Sequence, residues 1–141
     1  MRRALEVGHE FAPMTVESIS RTTLSRYACV SGDFNPMHLD IDAAVEAGYS
    51  DVFAHGMFSM ALLGRALHHW VGQENVRRFT VRFVSITPID SQPTCYGTVI
   101  DVNLESIHSV AIVDLKILLP DGTATLLGDA EIDVSENREQ K

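Results

Sequence analysis

The sequence has 141 residues, of which 45% are hydrophobic, and its formal net charge at pH 7 is −8. This length and composition suit one globular core, so we expect residues 1–141 to form a single domain. The acidity argues against a nucleic-acid-binding module, which needs a basic surface to meet phosphates, and against docking on an anionic membrane.

We expect neither a targeting segment nor a membrane-spanning segment in this sequence. Arg2 and Arg3 are not followed by the apolar stretch of a signal peptide, and the apolar run over residues 56–71 is shorter than the roughly 20 residues that span a bilayer. Cys29 and Cys95 lie far apart in sequence, so one disulfide is possible, but two lone thiols suit a reducing compartment. We therefore expect a cytoplasmic protein.

The first half of the chain predicts an extended arm followed by three helices. The arm covers residues 11–19 and leads to Ser20, a favourable N-cap for a helix over residues 21–30. Asp40 can cap a short second helix. The third helix, over residues 56–70, is apolar on nearly all sides, which is typical of a buried helix.

The second half changes to the two-residue alternation of β-strands. Four segments alternate apolar and polar residues, which predicts four strands with one polar face each. Their apolar positions are Phe79, Val81 and Phe83; Ile100, Val102 and Leu104; Val113, Leu115 and Ile117; and Ala130, Ile132 and Val134. Turns are predicted at residues 105–108 and 120–122. The predicted architecture is α+β, an antiparallel meander wrapped around the long apolar helix.

The most informative segment is the run Ser-Gly-Asp-Phe-Asn-Pro-Met-His at residues 31–38. Asp33 and His38 are five residues apart, a spacing that neither a straight helix nor a strand would bring together. Pro36 restricts its own backbone and disfavours helix at Asn35, so the chain turns here. A turned loop can direct a carboxylate and an imidazole at one point, where one delivers a proton while the other removes one.

A second segment, residues 53–57, is a loop that enters the long apolar helix. Backbone N–H groups at a helix start are unpaired and carry a partial positive charge. Gly56 lets a ligand approach the backbone closely. These features predict an oxyanion hole for a thioester carbonyl that gains enolate character.

The two segments carry a family resemblance. Residues 27–40, followed by Ala43 or Ala44, resemble the hydratase-2 motif of the MaoC-like family of (R)-specific enoyl-CoA hydratases and (3R)-hydroxyacyl-thioester dehydratases. Residues 54–57, Ala-His-Gly-Met, are similar to the family's second signature, at the usual distance. The resemblance covers most of the chain. One position departs from some members, because a serine on the central helix that reaches the site corresponds here to Gly64.

The resemblance implies a hotdog fold and a dimer that closes an acyl tunnel, either a homodimer or a heterodimer with a related hotdog subunit. It implies that Asp33 and His38 add water across, or remove it from, the 2,3 bond of an acyl-CoA or acyl-carrier-protein thioester, with no metal or other cofactor. The Gly56 N–H would hold the thioester oxygen. The residues expected to support the catalytic loop are Ser31, Asn35, Pro36 and His55, and those expected to line the tunnel are Phe34, Met57, Phe58 and Met60.

Other interpretations of the same residues stay open. Asp33 also fits an ordinary Asx turn. His38, Asp40 and Asp42 suggest a metal site, although Asp40 serves better as a helix cap. Cys29 lies near the loop, but it has no evident base beside it to activate the thiol.

The sequence also leaves the carrier contacts and the reaction class open. Arg77, Arg78 and Arg82 fit equally well a surface for the phosphates of coenzyme A and a solvated strand face. The competing functions are a hotdog acyl thioesterase and the catalytic half of a heterodimeric dehydratase.

Overall fold

The computed structural model describes residues 5–104 and 109–135, so the turn predicted at residues 105–108 lies outside the described residues. Within those ranges the helices are α1 (Arg21–Ser31), α2 (Ile41–Glu46) and α3 (Gly56–Val71). The strands are β1 (Met14–Thr15), β2 (Val76–Phe83), β3 (Thr94–Asn103), β4 (Val110–Leu118) and β5 (Ala124–Asp133). The short segments Pro36–His38 and Gln73–Asn75 are 3₁₀ helices. The predicted α+β class is confirmed.

The helix boundaries follow the predicted caps closely. Ser20 Oγ accepts a hydrogen bond from the Thr23 N–H and begins α1. Asp40 Oδ1 accepts from the Asp42 N–H and begins α2. The arm before α1 is extended as predicted, but only Met14–Thr15 is a strand. The rest of the arm forms isolated backbone hydrogen bonds to β3 and to residues 91–93, which precede β3.

The sheet has the order β1-β3-β4-β5-β2, which differs from the predicted simple meander. Strands β3, β4 and β5 follow one another as antiparallel neighbours, but β2 pairs with β5 at the far edge. Residues 84–93 therefore carry the chain from one side of the sheet to the other. Within this connection, Pro88 forms an isolated antiparallel β-bridge with Phe53, which lies shortly before the start of α3. Alternation along a strand specifies which face is apolar, but it does not specify the neighbouring strand.

In β3, the prediction that Ile100 faces the core is wrong, whereas the same prediction for Val102 is correct. The pairing of β3 with β4 shifts register between Val99 and Asp101, so Ile100 is an extra residue and is 54% exposed. Such a bulge reverses which side the following residues face. Val102 then packs against the core, whereas Leu104 lies past the strand end and is exposed. The predicted inward positions of β4, Val113, Leu115 and Ile117, are buried, as are Ala130 and Ile132 of β5.

Helix α3 packs across the apolar face of the sheet. Its buried side chains include Leu62, Leu63, Ala66 and Leu67, which share one core with buried residues of β3, β4 and β5. The helix is not covered on every side, because Met57 is 56% exposed. The prediction of a buried central helix is therefore confirmed for one face only. No helix within the described ranges is long and apolar enough to cross a membrane.

A second, smaller core holds the segments that the sequence marks as functional. Its buried side chains come from the arm, α1, α2 and the loop before α3, namely Ile19, Leu24, Ala44, Val52 and Ala54. The Arg21 guanidinium adds two hydrogen bonds of 2.8 and 2.7 Å to the carboxylate of Asp51. These contacts fix the loop after α1 next to the start of α3.

Candidate active site

Asp33 lies in a short loop whose shape is set by a glycine and by two polar side chains. Gly32 ends α1 with φ of 75°, a left-handed conformation that suits glycine. Ser31 Oγ accepts a hydrogen bond from the Asp33 N–H at 3.2 Å, and Asp33 Oδ1 accepts one from the Asn35 N–H at 3.1 Å. Asp33 therefore does form an Asx turn. Its other oxygen, Oδ2, accepts no hydrogen bond from the described residues and is left for chemistry.

Asn35 and Pro36 begin the 3₁₀ helix that presents His38. Asn35 Oδ1 accepts from the Met37 N–H at 3.1 Å, and Pro36 takes the first helical position. His38 Nδ1 lies 2.7 Å from the carbonyl oxygen of Phe53. A carbonyl only accepts hydrogen bonds, so Nδ1 carries the proton of the neutral ring. Nε2 of His38 is then the nitrogen that can accept a proton.

His55 is the residue just before α3 and is 1% exposed. Its Nε2 lies 3.0 Å from the carbonyl oxygen of Asp33, so Nε2 donates the hydrogen bond. Nδ1 is buried and has no hydrogen-bond partner among the described residues. Burial lowers the pKa of His55, and the hydrogen bond to Asp33 opposes this shift only in part. His55 is therefore neutral near pH 7.

The structure brings Asp33 and His38 together and adds His55 to them. One nitrogen from each imidazole and one Asp33 carboxylate oxygen lie within 4.8 Å of one another. The rings of His38 and His55 stack with their centroids 4.0 Å apart and their planes 30° apart. Asp40 caps α2 instead of joining this cluster, so the suggested set of His38, Asp40 and Asp42 is not the group that the structure assembles.

Asp33, His38 and His55 are the residues in the described ranges that could hold a metal ion. His38 Nδ1 and His55 Nε2 already face backbone carbonyls, which leaves one nitrogen on each ring. Metal-bound imidazoles must both point at the ion from about 2.0–2.1 Å. The two rings are stacked with their planes 30° apart, so the lone pairs of the two remaining nitrogens do not lie in one plane. This arrangement does not favour shared coordination of one ion by both rings.

The start of α3 supplies unpaired backbone donors. The N–H groups of Gly56 and Met57 donate no hydrogen bond within the described part of the chain, and the first bonded amide of the helix is that of Phe58. Such amides carry a partial positive charge. Phe83 packs against Gly56 so closely that a Cβ at this position would lie 3.2 Å from its ring. Glycine at this position therefore leaves room for the Phe83 ring beside the helix start.

A cavity of about 310 Å³ opens beside Gly56. Its wall is mostly apolar and consists of Phe53, Ala54, Gly56, Ser59, Phe83, Val84, Ser85, Ile86, Thr87 and Leu126. Within this wall Ser59 and Thr87 are buried and share a hydrogen bond of 3.1 Å. Sequence reasoning missed Ser59, Phe83 and Thr87. The signal for Ser59 was a hydroxyl on an apolar helix one turn after Gly56, but Thr87 lies in a connection that no local pattern marks.

The four predicted tunnel residues lie outside the wall of this cavity. Phe34 is 59% exposed and Met57 is also exposed, so both face solvent in the single chain. Phe58 and Met60 are partly buried against the main core, and the Phe58 ring also contacts the ring of Tyr27. Their place along an acyl tunnel stays a prediction. For Phe34 and Met57 it requires a partner subunit that covers both side chains.

The three arginines of β2 differ in their surroundings. Arg77 forms an ion pair with Asp133, and its hydrogen bonds hold the pKa of that carboxyl well below its ordinary value. Arg78 and Arg82 are exposed on the same side of β2. Arg77 is thus engaged in tying β2 to β5, and only the other two remain candidates for contacting carrier phosphates.

The chain belongs to the MaoC-like domain family, because the family model described as "MaoC like domain" matches residues 5–112. A curated relative, fatty acid synthase subunit beta of Saccharomyces cerevisiae, is 29% identical over 121 residues. The match covers 84% of this chain but 6% of that protein. The chain thus spans only a small part of the length of the curated relatives it matches.

Solved structures confirm the hotdog fold that the resemblance implied. R-hydratase PhaJ1 from Pseudomonas aeruginosa superposes with a TM-score of 0.82 and 28% identity, covering 94% of this chain and 84% of that one. The ChsH1-ChsH2 complex from Mycobacterium tuberculosis gives a TM-score of 0.80 at 21% identity, covering 92% and 98% of the two chains. At this lower identity the likeness shows the fold alone.

Proposed function

We propose that the protein is a hydro-lyase that adds water to a trans-2-enoyl thioester and gives the (3R)-hydroxyacyl thioester, or catalyses the reverse dehydration. The observation that carries this proposal is the convergence of the Asp33 carboxylate and the His38 imidazole within 4.8 Å, next to a helix start with unpaired amides. Membership in the MaoC-like family and the likeness to an R-hydratase support the same reaction class.

In the proposed mechanism, Asp33 and His38 hold the water that is added. His38 accepts a hydrogen bond through Nε2, since its Nδ1 donates to Phe53, and Asp33 accepts through its free oxygen. The water oxygen bonds to C3 while one of its protons passes to this pair. The pair then delivers that proton to C2 from the same side. Dehydration runs through the same steps in reverse.

The Gly56 amide supplies the electrostatic part of the mechanism. Attack at C3 moves negative charge onto the thioester oxygen, which becomes an enolate. A backbone N–H that is already oriented and unpaired stabilises this charge without reorganisation. The partial positive charge at the start of α3 acts in the same direction.

The substrate that we propose is an acyl thioester of coenzyme A or of an acyl carrier protein. The cavity beside Gly56 is mostly apolar and has few hydroxyls, which suits a chain attached to the thioester. Arg78 and Arg82 are the exposed cations of β2 that would meet the carrier phosphates. In an acidic protein such a local basic patch is needed to bind an anionic carrier.

We further propose that the working unit is a homodimer. Strand β2 pairs only with β5 among the described strands, so its other edge is open. Near its end the apolar residues Met57, Phe83, Val84 and Ile86 are exposed. Open edges and clustered apolar side chains favour association. Sedimentation analysis of the purified chain tests this assembly; a monomer would favour a heterodimer with a related subunit.

The hydratase assignment is tested with crotonyl-CoA. The absorbance of the conjugated enoyl thioester is followed with the wild-type chain and with Asp33→Asn, and an R-specific hydroxyacyl dehydrogenase then tests the product. Asp42→Asn, an exposed carboxylate on α2, is the matched control. We expect hydration by the wild type and the control, and a loss of about 10²–10⁴-fold in Asp33→Asn.

Each alternative outcome has a distinct meaning. Hydration that survives Asp33→Asn within a few-fold would remove Asp33 from the mechanism. Release of free thiol without hydration would move the protein to the thioesterases. If crotonyl-CoA does not react, longer enoyl thioesters and carrier-protein thioesters are tested next, and failure with all of them refutes the proposal.

A further inference from the structure

We infer that His55 is a positioning residue of this site, which ties the loop that carries Asp33 and His38 to the helix start that carries Gly56. The inference deepens the proposed function and rests on it. His55 acts through the backbone of Asp33 and the ring of His38, without contacting the reacting atoms.

The two segments exchange hydrogen bonds through their histidines. His38, from the first segment, donates to the carbonyl oxygen of Phe53 at 2.7 Å. His55, from the second segment, donates to the carbonyl oxygen of Asp33 at 3.0 Å. The stacked rings fill the space between these bonds. Two opposed hydrogen bonds and a ring contact hold the acid/base pair at a fixed distance from the Gly56 amide.

The position of His55 before α3 makes this role distinctive. It is the N-cap residue of α3, yet its side chain makes no capping hydrogen bond. A Ser, Thr, Asp or Asn at an N-cap stabilises a helix relative to residues that cannot cap. The side chain is instead directed to the Asp33 carbonyl, 22 residues earlier in the chain. The hydrogen bond to the acid/base loop explains why a histidine occupies an N-cap position where it does not cap the helix.

The surroundings of His55 keep its ring uncharged. The groups that face it are the Asp33 backbone and carboxylate, the His38 ring, and the Tyr27 ring from α1 with centroids 4.9 Å apart. Protonation would place a cation against His38 and would create a buried Nδ1–H with no acceptor among the described residues. A neutral ring lets His55 hold the loop without disturbing proton transfer at His38.

Two variants separate the hydrogen bond from the ring contact. His55→Gln keeps an N–H donor near the place of Nε2 but loses the ring, whereas His55→Phe keeps an aromatic ring but loses the donor. We expect His55→Phe to lower kcat by roughly 10–100-fold with KM within about threefold, because misplaced catalytic groups slow chemistry more than binding. His55→Gln should retain kcat within about threefold of the wild type.

Melting temperature is measured for both variants. Equal kcat losses in the two variants, or losses that follow the melting temperature, would overturn the inference in favour of a packing role. Full activity in His55→Phe would also overturn it.

Imidazole nitrogen NMR tests the inference without substrate. We expect His55 to be the neutral Nε2–H tautomer at about pH 7.5, above the ordinary histidine pKa of about 6.5, because burial lowers its pKa. We also expect hydrogen exchange at the amides of residues 33–38 to be faster in His55→Phe, which loses the hydrogen bond to the Asp33 carbonyl, than in His55→Gln. If the wild-type protein gives the expected NMR spectrum but hydrates no enoyl thioester, the proposed function is refuted. The inference that His55 joins the two segments then still stands. A cationic ring or an Nδ1–H tautomer would overturn the inference itself.

Discussion

His38 donates a hydrogen bond through Nδ1 to the carbonyl oxygen of Phe53, with 2.7 Å between the two atoms. This one contact assigns the two ring nitrogens different tasks. Nδ1 anchors the loop to the segment before α3, and Nε2 remains able to accept a proton. A substitution of His38 can therefore remove the basic nitrogen while keeping a hydrogen-bond donor to Phe53, or it can remove both.

We predict that His38→Asn folds normally but loses activity. Its side-chain amide can replace Nδ1 as the donor to Phe53, but it offers no basic nitrogen where Nε2 was. Turnover should fall by about 10²–10⁴-fold. His38→Ala should be equally inactive and also less stable than His38→Asn by about 1 kcal/mol, because the Phe53 carbonyl loses its partner. Urea unfolding measures the stability difference, and equal stability of the two variants would contradict the anchoring role.

We predict that Gly56→Pro removes the oxyanion donor while leaving the helix intact. Proline is favoured at the first position of a helix, and His55, with φ of −55° and ψ of 137°, has a backbone conformation that proline tolerates in the preceding residue. Removal of one such donor typically costs about 10²–10³-fold in kcat.

Gly56→Ala is the matched control for this change. It keeps the N–H but adds the same Cβ, which would lie 3.2 Å from the exposed ring of Phe83. We expect Gly56→Ala to be clearly more active than Gly56→Pro in the hydration assay. Equal activity would exclude the Gly56 amide as the donor and leave steric contact with Phe83 as the cause.

We predict that His55 makes the folded protein less stable as the pH falls. Burial lowers the pKa of His55 in the folded state, so the unfolded chain, with a histidine pKa of about 6.5, takes up the proton first. The unfolded state then binds more protons, and stability falls as the pH drops through about 6.5 toward the lowered pKa. Urea unfolding between about pH 7.5 and 5.5 should show a larger loss for the wild type than for His55→Gln. Parallel losses would contradict a depressed pKa.

We predict that a thiol reagent modifies one cysteine of the native protein and two of the unfolded chain. Cys29 is exposed on α1, whereas Cys95 is buried in β3, and burial raises the pKa of the Cys95 thiol to about 12. The reactive species is the thiolate, so Cys95 should be inert while the protein is folded. Cys29→Ser should abolish the native reaction and leave turnover within about twofold. A substantial loss of turnover would give Cys29 a role that its surroundings do not indicate.

Local chemistry in the sequence determined much of this structure. Ser20 and Asp40 begin the helices that they were predicted to begin, because a cap bonds to amides only two or three residues away. The turn around Pro36 follows from the backbone restrictions of proline. The buried faces of β4 and β5 follow from their alternation. Each of these features depends on neighbours in the chain.

Tertiary packing decided the rest. Strand β2 pairs with β5 instead of β3, and Ile100 is the extra residue of a bulge, although neither has a signature in the alternating pattern. The hydroxyl pair of Ser59 and Thr87 joins residues 28 apart. Strand order, bulges and such pairs depend on which surfaces meet after the chain has closed long loops.

The candidate site also combines features that the sequence predicted with features that only tertiary packing decided. The sequence placed Asp33 and His38 on one turned loop, since five residues and a proline leave the chain few alternatives. It did not show that His55 donates to the Asp33 carbonyl, or that Phe53 accepts from His38. Those contacts join two segments that the small core of Ile19, Leu24, Ala44, Val52 and Ala54 holds together. Their geometry is set by packing between helices and loops, which residue types and spacing do not encode locally.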